Sequence, residues 1–290
     1  MEKPCRNLFS RMTNSRKYSI VLAGLMLVVG LSPVHGADAN KVTEPTNAAE
    51  AAAKKAAADK ALDEAYQKWK ATLPPEHQAW ETVLEQNLGS FYLPIHKREK
   101  VKGTPNAWDY VKDDPKLPRV LLIGDSVSRG YTMAVRAEMQ GKANVHRAPE
   151  NCGPTANGLR KLDIWLGDGK WDIIHFNFGI HDRATPPADY EKRLEEIIVR
   201  LKATGAKVIW ASTTPIPLDA AKKQTPESIM ERNAIAEKLA KKHGLAVDDL
   251  FTFITPNLAT LQNPNDVHFN AAGYKALGAQ VAKVIGENLK

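Results

Sequence analysis

The chain has 290 residues, 40 of them basic and 33 acidic, for a net charge of +7. That length allows one large domain with extensions, or two domains. Five basic residues (Lys3, Arg6, Arg11, Arg16, Lys17) and one acid (Glu2) fall within residues 1–36, which leaves 35 basic and 32 acidic side chains, net +3, in the rest. So balanced a remainder gives no electrostatic case for nucleic acid.

Residues 1–36 read as an export signal. A basic start precedes an apolar run over 20–31 that is short for a membrane span, and Val34-His35-Gly36 is a small-residue cleavage site, with Ala37-Asp38-Ala39 as its rival. An uncleaved anchor is the alternative. The expected location is therefore periplasmic or secreted, with no membrane contact after cleavage. Of the two cysteines, Cys5 would leave with the leader, so no internal disulfide is expected. Cys152 reads as a small buried residue, a reactive thiol being the alternative.

Residues 37–62 are rich in Ala and Lys and hold little to bury, which predicts a flexible or loosely helical spacer. Residues 63–117 form an N-terminal extension expected to pack on the main domain through Tyr66, Trp69, Trp80, Val83 and Leu84, a carbohydrate-binding surface being the alternative for the aromatics of this region, Phe91 and Tyr92 included. A helix starts near Pro75-Glu76. Residues 86–94 read as extended, and 97–102 as a basic, solvated loop.

From 118 to 290 strands and helices alternate, which predicts an α/β fold with a parallel sheet covered on both faces. Residues 120–123 are continuously apolar, as in a doubly buried strand, and residues 131–139 read as a helix stopped by Gly141. Further strands are expected at 143–148, 171–178, 207–212 and 245–248. A helix behind Thr185-Pro186-Pro187 carries Tyr190, Leu194, Ile197, Ile198 and Leu201 on one face. Thr225-Pro226 opens another helix that Gly244 ends, and Asn270 caps the last.

Gly124-Asp125-Ser126 stands at the carboxyl end of the first strand, where open α/β sheets bind ligands and helix-start amides stabilise negative charge. Spacing alone leaves two readings for Ser126, nucleophile or helix cap. The stretch Leu122-Ile-Gly-Asp-Ser-Val-Ser-Arg-Gly130 resembles the first block of the SGNH (GDSL-type) hydrolases, an esterase family whose block serine is the nucleophile. The resemblance spans roughly 118–288. It implies a flavodoxin-like three-layer sandwich with a five-stranded parallel sheet, order 2-1-3-4-5, and ester hydrolysis without cofactor or metal.

The same resemblance assigns partners. Gly153 corresponds to the second-block glycine whose amide serves the oxyanion hole, together with the amide of Ser126. Gly179-Ile180-His181-Asp182 resembles the third block, Gly-x-Asn-Asp, with His181 in the place of the asparagine donor. A neutral imidazole N–H can still donate there, although a structural role or lost activity are the other readings. His268 matches the histidine of the fifth block, Asp-x-x-His, and suits a general base. Three residues before it stands Asn265 rather than Asp, while Asp266 lies two before; Asp266 is the expected third member, with Asn265 as its rival.

His146, His175 and His243 read as structural or solvated. The expected substrate is a small-molecule or polysaccharide ester, foremost a carbohydrate O-acetyl ester. Trp165, Trp171 and Trp210 are sugar-stacking candidates that core or rim packing explains better. A lipase- or thioesterase-type short-chain esterase and a catalytically retired glycan-binding domain are the rivals. A nucleotide-binding module is disfavoured, because the loop after the first strand has too few glycines to cradle phosphate.

Overall fold

The computed structural model describes residues 47–219 and 225–289. The expected leader, its cleavage sites and the start of the spacer lie outside the described residues. In chain order the elements are α1 (Asn47–Lys70), α2 (Pro75–Asn87), α3 (Gly89–Val101), β1 (Arg119–Ile123), α4 (Ser126–Glu138), β2 (Asn144–Arg147), α5 (Thr155–Leu166), β3 (Ile173–Phe176), α6 (Pro187–Ala203), β4 (Lys207–Ala211), α7 (Pro226–His243), β5 (Ala246–Asp248), α8 (Leu250–Ile254), α9 (Leu258–Leu261) and α10 (Ala271–Asn288).

The five strands pair in parallel in the order β2-β1-β3-β4-β5. Successive strand residues point to opposite faces, and both faces are covered, which explains the unbroken apolar runs. Val120 and Leu122 of β1 and Ile173 of β3 enter a core with Val135 of α4 and Leu277, Val281 and Ile285 of α10. Leu121, Ile123, Ile174 and Phe176 enter the other, with Leu162, Leu194, Ile198 and Leu239 of α5, α6 and α7. The helix expected behind Pro187 buries all five of its listed apolar face residues. Gly244 ends α7 in the left-handed region, φ 66°, and the Asn270 side chain accepts from the Gly273 amide at the start of α10.

Helices α4 and α10 lie in very close contact. A Cβ on Gly130 would stand 2.1 Å from the Tyr274 ring, and one on Gly278 would stand 2.4 Å from the Ala134 Cβ. Small residues at the crossing thus let two helix backbones approach, and both helices begin at the carboxyl rim of the sheet. The first of them starts earlier than the apolar pattern indicated: Asp125 caps it, accepting from the Val127 amide, so the helix begins at Ser126.

In the N-terminal region residues 47–62 take the helical form, as the exposed opening turns of α1, supported by the i,i+4 pairs Lys55–Asp59 and Lys60–Glu64. Two further stretches depart from expectation. The segment 86–94 is helical rather than extended: Gly89, φ 69°, turns the chain after α2, and α3 continues through Pro94. Pro94 forfeits one helical hydrogen bond. Packing offsets that loss, because Leu88 is buried with Leu84 and Trp108, and Tyr92 and Leu93 lie against this cluster. Finally, 97–102 is no solvated loop. Lys97 pairs with Asp63, and Lys100 is buried and pairs with Asp109.

One buried network ties this region together. The Tyr66 hydroxyl donates to Glu81 Oε2 (2.7 Å), and His96 Nε2 lies 2.7 Å from the same oxygen. Asn106 Nδ2 donates to His96 Nδ1 (3.0 Å), so the ring's proton sits on Nε2 and points at Glu81. Burial pulls the Glu81 carboxyl upward, but the hydrogen bond from His96, with that from Tyr66 and the nearby His77, outweighs it and holds the group below its ordinary 4.5. A carboxyl depressed on folding contributes stability above its unfolded pKa and loses it as pH falls through the folded value. Glu81→Gln is expected to cost about 1–3 kcal/mol at neutral pH. The gap in melting temperature between the two proteins should narrow below pH 4.5; a gap constant down to pH 3 would contradict this role.

Candidate active site

Ser126 stands three residues past the end of β1 and opens α4, at the positive end of the helix. Because Asp125 takes the capping role, the serine side chain is left for another partner. That partner is His268: Nε2 lies 2.8 Å from Ser126 Oγ across 142 residues of sequence. On the other side of the ring, Nδ1 lies 2.8 Å from Asp266 Oδ1. The carboxylate accepts the Nδ1 proton, which leaves Nε2 as the acceptor for the serine O–H.

The loop that carries the histidine is closed at its base. Gln262 and Phe269 form an antiparallel bridge, the Asn263 amide donates to the His268 carbonyl (2.9 Å), and the Asn270 amide donates to the Leu261 carbonyl (3.0 Å). Within it, Asn265 sits at φ 54°, a left-handed conformation that asparagine tolerates better than most residues. This turn is why the acid two residues before the histidine, rather than three, reaches Nδ1. Burial raises the Asp266 carboxyl, but the hydrogen bond from the His268 ring, with those from the His268 and Val267 amides, holds it below the usual carboxylate range. It therefore stays ionised beside the ring.

Two buried arginines brace the loops around Ser126. Arg147, at the end of β2, donates to Ser128 Oγ (2.5 Å) and to the carbonyls of Gly124 (3.0 Å) and Asp125 (2.9 Å). Arg232 of α7 donates to the carbonyls of Asp182 (3.0 Å) and Thr185 (2.5 Å). Asp182 in turn accepts from the Thr155 amide and hydroxyl, both at 2.7 Å, at the start of α5. The loops after β2 and β3 are thereby tied to one another. Gly153 lies in the first of them at φ 65°, and His181 in the second, on the single turn Ile180–Asp182.

Ser126, His181, Asp266 and His268 line one cleft of about 350 Å³. His181 is solvent-exposed, and Asn151, two residues before Gly153, supplies the lining from the loop after β2. Arg183, Asn265 and Tyr92 complete its polar wall, with Ile180 and Val267 as the aliphatic contacts. Sequence reasoning missed Arg147, Asn151 and Arg183, and left Tyr92 among aromatics expected chiefly to pack. A charged residue ending a doubly buried strand was a signal for Arg147; nothing local to Tyr92 links it to a site that begins at Ser126.

The remaining candidates lie elsewhere. Trp165 and Trp210 are buried, Trp165 stacked on Phe178, and Trp171 packs under the Arg119 guanidinium (4.2 Å). None of the three is among the described residues lining the Ser126 cleft. Cys152 is buried, and burial pushes its thiol up to about 12, so it stays protonated. His175 is buried against Asp248 (3.0 Å), His146 meets Asp113 (2.6 Å) and His243 meets Glu195 (2.8 Å). Among the described residues no group of three or more His, Cys, Asp or Glu could hold a metal ion, and no helix is long and apolar enough to cross a membrane.

A parallel sheet of order 2-1-3-4-5 whose rim carries a Ser-His-Asp relay defines an α/β serine hydrolase of the SGNH type. Residues 122–276 match the family model of the GDSL-like lipase/acylhydrolase family, and the chain belongs to that family. It is a carboxylic-ester hydrolase. Among curated proteins nothing matches it. Solved structures of similar fold include the lipase/acylhydrolase from Enterococcus faecalis, 24% identical with a TM-score of 0.53 over 60% of this chain and 97% of that one. They also include the acetyl xylan esterase AlAXEase, 16% identical, TM-score 0.51, over 58% and 99%. The acetylxylan esterase of Geobacillus stearothermophilus is 15% identical, TM-score 0.50, over 59% and 94%.

The loop geometry separates Asp266 from Asn265 as the histidine's partner. Asp266→Asn is expected to lower kcat by about 10³- to 10⁴-fold, since it removes the charge that stabilises an imidazolium and favours the wrong tautomer. Asn265→Gly, which keeps the left-handed turn, should retain most of the activity. Steady-state kinetics on an acetyl ester decide the matter, and equal losses for the two variants would reject the assignment.

Proposed function

We propose that this chain is an exported serine esterase that removes short acyl groups, foremost O-acetyl, from carbohydrate. The observation that carries the reading is the continuous hydrogen-bond line from Ser126 through His268 to Asp266. Ser126 Oγ attacks the ester carbonyl carbon while its proton passes to His268 Nε2. The carbonyl π pair moves onto oxygen, and the amides of Ser126 and Gly153 with the His181 imidazole donate to it. Collapse of this adduct breaks the bond to the alcohol oxygen, which takes the proton from Nε2. Water, deprotonated by the same nitrogen, then attacks the acyl-enzyme; the acid leaves and Ser126 regains its proton.

Three observations support the finer points. Ile180 and Val267 are the aliphatic side chains of a cleft otherwise lined by polar groups and Tyr92, which suits a short acyl chain. Two solved structures of like fold are acetyl xylan esterases. The basic start and apolar run within residues 1–36 support export.

Hydrolysis of a p-nitrophenyl ester series by residues 37–290 tests the reading. Acetate is expected to be preferred over octanoate and longer chains, and Ser126→Ala to lose at least about 10⁴-fold in kcat. Turnover that survives Ser126→Ala rejects this nucleophile, and a preference for long chains rejects deacetylation. At the third-block position His181→Ala should cost about 10²-fold in kcat, as loss of one oxyanion donor does. His181→Asn, which restores a side-chain donor, should cost less; an unchanged rate for His181→Ala removes the histidine from the hole.

A further inference from the structure

We propose that Phe91 and Tyr92 form an aromatic platform at the mouth of the catalytic cleft that stacks on the sugar rings of a polymeric substrate. The inference rests on the esterase reading above and adds to it the form of the alcohol: a polysaccharide chain rather than a free acetylated sugar or a lipid.

Tyr92 lines the cleft together with Ser126 and His268, although it lies on α3, outside the span matched by the family. Its ring is held from two sides. Trp108, fully buried, meets it edge-on at 5.3 Å, and the Arg129 guanidinium lies 5.4 Å from its centroid. Arg129 sits on the same helix as Ser126, three residues further along, so the aromatic wall is fixed relative to the nucleophile. Phe91 stands edge-on against Tyr92 at 4.8 Å and 87°, yet 69% of it is exposed. Phe91 does not itself line the cleft; through this contact it extends the aromatic surface of Tyr92, which does.

The chemistry of the neighbouring wall selects the ligand. Asn151, Arg183 and Asn265 line the same cleft, so amide and guanidinium groups are at hand for the hydroxyls of a ligand. Polar groups in the cleft plus the half-buried Tyr92 and the exposed Phe91 beside it match a polyhydroxylated ring, whose C–H face stacks while its hydroxyls hydrogen-bond. The scarcity of aliphatic lining argues against a long-chain lipid.

The test compares wild type, Phe91→Ala, Phe91→Trp and Tyr92→Ala on acetylated xylan, acetylated galactoglucomannan and acetylated pectin. Glucose pentaacetate, xylose tetraacetate and p-nitrophenyl acetate are the small substrates. At least one polymer should show a higher kcat/KM per acetyl group than either sugar acetate. Phe91→Ala should lower the ratio of polymer to p-nitrophenyl acetate kcat/KM by up to about tenfold through KM, as loss of one aromatic stacking contact would. Phe91→Trp should restore it. Retention of the Ser126→Ala protein by the same polymers in affinity electrophoresis, reduced by Phe91→Ala, reads the platform without turnover. Failure of all esters with polymer retention intact would sink the esterase reading and leave the platform standing. Polymers no better than the sugar acetates, or a ratio unmoved by Phe91→Ala, would overturn the platform. A loss confined to long-chain esters or lipid vesicles would assign Phe91 to a lipid instead.

Discussion

The structure turns on a 2.8 Å contact between a hydroxyl and an imidazole that lie 142 residues apart. Neither residue can find the other through local structure. Ser126 is delivered by the end of β1 and His268 by the loop before α10. What joins them is the tight crossing of α4 and α10, where Gly130 and Gly278 allow the backbones to meet. Because both helices start on the same rim of the sheet, their proximity becomes the proximity of hydroxyl and imidazole. The apolar faces that Val135, Leu277 and Val281 bury therefore act on the geometry of this contact as well as on stability.

Holding the contact is not enough, since the donors around it must also be fixed in advance of the reaction. Here that task falls to buried charge. Arg147 gathers the carbonyls of the turn at Gly124 and Asp125, and Arg232 those of the turn after β3. Asp182 then links that turn to the start of α5. Buried ions of this kind are costly to desolvate, and their value lies in geometry more than in stability. Each makes several hydrogen bonds to backbone, so the loops cannot shift independently.

The N-terminal helices extend the same logic beyond the sheet. The network of Tyr66, Glu81, His96 and Asn106 holds α1, α2 and α3 together. Arg136 of α4 donates to the carbonyls of Asn106 and Asp109, and Asp113 bonds both Arg119 and His146. Through these contacts a segment without family features places Tyr92 in the cleft.

The sequence by itself determined the strands and helices of the main domain, because strong period and punctuation act locally: doubly buried strands are continuous apolar runs, and α6 declares its inner face residue by residue; the strand order and the choice of Ser126 came from the resemblance of residues 122–130 to a family block. Where local signals were weak or overridden it misled. Pro94 and the run of lysines after it suggested loop, and only burial against Trp108 and ion pairs from Asp63 and Asp109 keep that stretch helical. The loop before α10 was ambiguous for a related reason. Spacing from His268 favoured position 265 by analogy, while the left-handed turn at Asn265 swings Asp266 onto the ring. Tertiary structure alone decided that, as it decided the roles of Arg147 and Tyr92, since a side chain's partner across space depends on how distant backbones pack and leaves no periodic trace in the residues beside it.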